Sequence, residues 1–81
     1  MNANSTTEDH IQRIYFSTGE VARCLEVKDH KVRVWVAKLG LNVARRLGQR
    51  RFSKNELQVL RRFRSLIDEG YREDKVVEIV R

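Results

Sequence analysis

The chain has 81 residues, with 17 Lys+Arg against 11 Asp+Glu, no proline and a net charge of +6. That length allows one small domain with a thin core and excludes a deep catalytic pocket. A single cysteine excludes an internal disulfide framework and a multi-cysteine zinc site, and no apolar run approaches a membrane span. A basic, cytoplasmic domain without metal or cofactor is expected, and a polyanion is the first partner to consider.

Residues 1–14 begin with a polar run, Met1 to Asp9, that lacks the apolar centre of a signal peptide, and are expected to form a flexible leader to a domain at 15–81. The first helix starts at Thr18. Ser17 is placed to cap it, Glu20 to reach back to the cap, and Phe16 and Val21 to staple the entry. Val21, Ala22 and Leu25 give it a short apolar stripe, and Glu26 to Lys28 reads as a turn. Cys24, near its end, is expected to be a small buried hydrophobe.

A second helix over 29–39 is predicted, with Asp29 as its cap and Gly40 as its left-handed C-terminal stop. Val32, Trp35, Val36 and Leu39 follow the i, i+3, i+4, i+7 spacing of one buried face, leaving His30, Lys31, Arg33, Val34 and Lys38 on the other. Gly48 then divides the basic stretch Arg45-Arg46-Leu47-Gly48-Gln49-Arg50-Arg51 into two short strands, a hairpin. Ser53, Glu56, Phe52 and Leu57 repeat the cap, partner and staple arrangement, so a third helix starts at 54 and runs to 69, before Gly70. A short fourth helix follows from Glu73, packing through Val76, Val77, Ile79 and Val80. Arg61, Arg62 and Arg64 suit either a flanking phosphate or a wet helix face, with Asp68 in i,i+4 reach of Arg64. Tyr15 suits either packing on the third helix or a phosphate contact.

The charge is not spread evenly. Residues 28–54 hold nine basic side chains against one acidic, a net of +8, while 1–27 carry −2 and 55–81 are neutral. Two short helices joined by a three-residue turn, followed by a basic hairpin, form a mainly α winged helix-turn-helix with a small two-stranded β-hairpin wing. In such a unit the second helix enters the major groove of double-stranded DNA. Lys28, His30, Lys31 and Arg33 then face outward at its leading end, and Arg45, Arg46, Arg50 and Arg51 of the wing at 44–52 lie over the backbone or the minor groove. With Lys38, and with Ser17 and Thr18 at the start of the first helix, these form the expected DNA-binding set. No phosphate-cradling glycine loop, Ser-His-Asp set or metal-ligand spacing supports an enzyme.

The ordered set Tyr15-Phe16-Ser17-Thr18-Gly19-Glu20-Val21-Ala22, Val27, His30, Val32-Arg33-Val34-Trp35, Gly40-Leu41, Gly48-Gln49-Arg50-Arg51-Phe52-Ser53 and Asp68-Glu69-Gly70-Tyr71 resembles the DNA-binding domain of MerR-type transcriptional regulators. The resemblance covers residues 15–80. It implies operator DNA as ligand, backbone contacts from Arg33 and Arg50, and a bacterial, nucleoid-associated location. The chain departs from the family pattern at Glu26, where a glycine is usual, at Val34 and Gln49, where aromatics are usual, and in lacking prolines. Typical members continue into a dimerisation helix and an effector domain. This chain stops at Arg81, so it is expected to be either an N-terminal piece or a small stand-alone relative. It is expected to be monomeric alone, and a homodimer on DNA only through a region it does not contain. The alternative role for such a domain is architectural, in chromosome or plasmid segregation or in recombination.

Overall fold

The computed structural model describes residues 15–81, so the expected leader at 1–14 lies outside the described residues. Four helices and three short strands follow in the order β1 (Tyr15–Phe16), α1 (Thr18–Leu25), α2 (Asp29–Leu39), β2 (Ala44–Arg46), β3 (Gln49–Ser53), α3 (Lys54–Asp68) and α4 (Glu73–Val80). The fold is the winged helix-turn-helix expected, with one addition. The hairpin β2–β3 is joined by β1 in an antiparallel sheet of order β1-β3-β2. Phe16 pairs with Phe52 and Tyr15 with Ser53, so the segment entering α1 is tied to the segment entering α3.

Both capping boxes form. Ser17 Oγ accepts from the Glu20 amide at 3.1 Å while Glu20 Oε1 accepts from the Ser17 amide at 2.9 Å. Ser53 and Glu56 repeat this at 3.1 and 2.8 Å. Each cap stabilises its helix by about 1 kcal/mol. The start of α2 differs from expectation: Lys28 is the N-cap, in extended conformation and without a side-chain cap bond, and Asp29 is already helical. There its carboxylate stabilises the positive helix end by charge instead.

Three helices end in the same way. After α1, α2 and α3, the backbone turns left-handed at Glu26, Gly40 and Gly70. Paired bonds close each end: Glu26 N–H to Arg23 O with Val27 N–H to Ala22 O, Gly40 to Ala37 with Leu41 to Val36, and Gly70 to Ile67 with Tyr71 to Leu66. This is the Schellman motif, which glycine enters freely and other residues enter at a cost of about 1 kcal/mol. Glu26, at φ 59°, accepts that cost in the turn that aims α2.

The core gathers Val21, Ala22 and Leu25 of α1, Val32, Trp35, Val36 and Leu39 of α2, Phe52 of β3, Leu57, Leu60 and Phe63 of α3, and Val76 of α4. Trp35 lies 4.8 Å from Phe63, ring centre to ring centre. Phe52 and Phe63 are fully buried, and truncating either to alanine would cost about 3–5 kcal/mol. Cys24, expected inside, is exposed. The buried positions of α1 are 21, 22 and 25, which turn residue 24 toward solvent. On α4, Val76 is buried and Val77 and Val80 are partly so, whereas Ile79 remains exposed.

Candidate nucleic-acid interface

The hairpin connecting β2 to β3 is as tight as a hairpin can be. Arg46 pairs with Gln49, leaving Leu47 and Gly48 as a two-residue loop. Both have positive φ, 53° and 78°, the signature of a type I′ turn. Register then sorts the arginines. Phe16, Phe52, Arg50 and Arg45 share the sheet face that continues into the core, because strand side chains alternate and Arg45 pairs with Arg50. Ala44, Arg46, Gln49, Arg51 and Tyr15 share the other face. The wing therefore carries one arginine pair on each side.

Arg50 of the first face, with Gln49 and Gly48 at the turn, lies across an open cleft of about 230 Å³ from Ser17, Thr18 and Gly19. The amides of Thr18 and Gly19, in the first turn of α1, have no intrahelical acceptor and aim the positive end of that helix into the cleft. An arginine across a cleft from a helix N-terminus suits a phosphate oxygen. Gly19 also lies against the start of α2: a Cβ there would meet Asp29 Oδ2 at 3.9 Å. A shallow depression of about 410 Å³ is lined by Tyr15, Ala44, Arg46 and Arg51 of the second face together with Arg45 of the first. Tyr15 is half exposed in it. Arg51 Nε is shielded from solvent there without a hydrogen-bond partner among the described residues.

The outer face of α2 is divided. Lys28, His30, Arg33 and Val34 are exposed. Lys31 and Lys38, expected on the same open face, are drawn to α4. Glu73 Oε2 accepts from Lys31 Nζ and from Trp35 Nε1, both at 3.3 Å, and Glu73 Oε1 pairs with Lys38 Nζ at 3.0 Å. Lys38 above all holds the Glu73 carboxyl below its ordinary range, with Trp35 and Lys31 acting the same way against partial burial. The separation of 42 residues between Lys31 and Glu73 explains why the helical pattern of α2 alone did not reveal this contact.

Arg64 is also engaged inside the fold. Its Nε donates to Leu25 O at 2.9 Å, closing the C-terminal end of α1, and its guanidinium pairs with Asp68 as the spacing suggested. Sequence reasoning passed over Gly19 and Gln49, which complete the cleft, and Leu47 at the apex. Leu47 had a visible signal: a leucine before glycine in a two-residue loop, where asparagine or aspartate is usual.

Residues 16–81 match the model of the MerR HTH family of regulatory proteins. Among solved structures, the fold is similar to that of HiNmlR, a MerR family regulator lacking the sensor domain, bound to promoter DNA. The TM-score is 0.69 at 24% identity, over 82% of this chain and 54% of that one. This likeness is one of fold, and the chain spans about half the length of its neighbour. No curated protein matches the sequence.

Proposed function

Since the chain belongs to the MerR HTH family of regulatory proteins, we propose that residues 15–81 are a sequence-specific DNA-binding domain of a MerR-like transcriptional regulator. The observation that carries this reading is the meeting of three elements around Gly19. The N-terminus of α1, the start of α2 and the arginine-bearing end of the wing all converge there. In this reading α2 lies in the major groove, with His30 toward base edges and Lys28 and Arg33 toward the backbone. A phosphate sits between Ser17, Thr18 and Arg50, and Arg45, Arg46 and Arg51 follow the strand beyond it. Lys31 and Lys38 act at the edge of the interface, because Glu73 already offsets their charge. The structural neighbour, a regulator bound to promoter DNA, supports the same assignment.

A DNase footprint tests the regulatory role. A single dyad-symmetric site overlapping a promoter is the expected result. Arrayed sites without promoter overlap would instead assign the domain to an architectural role in segregation or recombination. No helix among the described residues is long and apolar enough to cross a membrane.

A further inference from the structure

Leu47 is costly to the fold twice over. It is 91% exposed, the most exposed large apolar side chain among the described residues, and it sits at φ 53°. A leucine at left-handed φ is strained by about 1–2 kcal/mol, and an asparagine or aspartate would relieve both the strain and the exposure. Nothing in the core uses the side chain. Strain that the fold does not need is the kind retained for a contact with a ligand.

The surroundings say what that ligand is. The strands on either side of the apex carry Arg45, Arg46, Arg50 and Arg51, so an apolar tip projects from a cationic collar. Such a tip is badly matched to an apolar protein groove, where four guanidinium groups would lose water without partners. It is well matched to the DNA minor groove, a narrow slot walled by sugars and edged by two rows of phosphates. Minor-groove proteins combine arginines with apolar side chains set against the base steps in this way. The cleft lined by Ser17, Thr18, Gly48 and Arg50 gives the placement: if the phosphate of the proposed function lies in it, the apex lies just beyond that phosphate row.

We propose that Leu47 enters the minor groove flanking the site read by α2, where it packs against sugars and base edges while the arginines hold the phosphates on both sides. This rests on the DNA-binding reading and adds an apolar contact to it. The left-handed turn is what lets a side chain, and not backbone, form the leading point of the wing.

Leu47→Asn tests this directly, because asparagine suits a type I′ turn better than leucine. The variant is expected to unfold at the same temperature as the unaltered chain or higher. Its affinity for a 25-base-pair A·T-rich duplex is expected to fall about five- to tenfold at fixed salt. The slope of log affinity against log salt should stay unchanged, since no charge is lost. Leu47→Met, which keeps the apolar contact, should retain most of the affinity, and netropsin bound in the minor groove should weaken the unaltered chain more than Leu47→Asn. Equal affinity of Leu47→Asn and the unaltered chain would overturn the proposal and leave the DNA-binding reading intact, as would an effect confined to self-association. Equal losses for Asn and Met would also overturn it. Failure of the unaltered chain to bind any duplex would overturn both.

Discussion

On β3, Arg50 and Arg51 stand with Arg45 and Arg46 of β2 around the apex of a two-residue turn, and none of the four has an ion-pair partner among the described residues. On α2, Lys31 and Lys38 each pair with Glu73. The two regions read alike in the sequence, as basic residues within one stretch of net charge +8. In the fold they differ in availability. The wing's charge is left unpaired among the described residues, whereas part of the helix's charge is taken up in holding α2 against α4. A charge count along a chain is therefore an upper limit on a footprint, and intramolecular carboxylates subtract from it.

The largest effect bearing on this contrast is expected at Arg33, the exposed cation of α2 that Glu73 does not reach. Arg33→Ala should weaken binding to a specific site by about 1–3 kcal/mol if it reads a base, and weaken all sequences equally if it holds a phosphate. Fluorescence anisotropy with a specific and a scrambled duplex separates these. Unchanged affinity for both would remove Arg33 from the interface and leave the wing dominant.

Glu26 and Leu47 sharpen the same contrast through the backbone. Both are non-glycine residues at positive φ, one in the turn that aims α2 and one at the wing apex. Glu26→Gly should stabilise the chain by about 1 kcal/mol in urea unfolding and leave DNA affinity within about twofold. Leu47→Asn should stabilise and weaken binding together. A large loss of affinity in Glu26→Gly would mean that the α1–α2 turn carries part of the interface.

The smallest effect is expected at Glu73. Its carboxyl is held below the ordinary range in the folded chain, so the stability it contributes is present above its unfolded pKa of roughly 4.5 and is lost as pH falls through the lower folded value. Because the group is partly solvated, Glu73→Gln should cost less than about 1 kcal/mol at pH 7. The gap between the two proteins should close as the solution is acidified below the unfolded value and through the lower folded one. A gap that persists in acid would show that shape, and not charge, holds α4 to α2.

Much of this molecule was legible before its fold was seen. The capping boxes at Ser17 and Ser53, the left-handed stop at Gly40 and the buried stripe from Val32 to Leu39 are local, written within three to seven residues. What escaped was non-local. The pairing of Tyr15 with Ser53 makes the wing sheet three-stranded, and the reach of Glu73 back to Lys31 and Trp35 crosses 42 and 38 residues. Cys24 was misplaced for a subtler reason: its residue type favours burial, but the direction of the α1 stripe decides. In the site, the arginines were legible as a set, whereas their division between two sheet faces follows only from the register of Arg45 with Arg50.

The central claim, that wing charge is available and much of the charge on α2 is not, is tested most directly by salt titration of two double variants that remove equal charge. Arg50→Ala with Arg51→Ala should reduce the slope of log affinity against log salt by roughly two units, the loss of two phosphate contacts. Lys31→Ala with Lys38→Ala should reduce it by less than about half a unit. Equal reductions in the two variants, or a larger one in the lysine pair, would contradict the account.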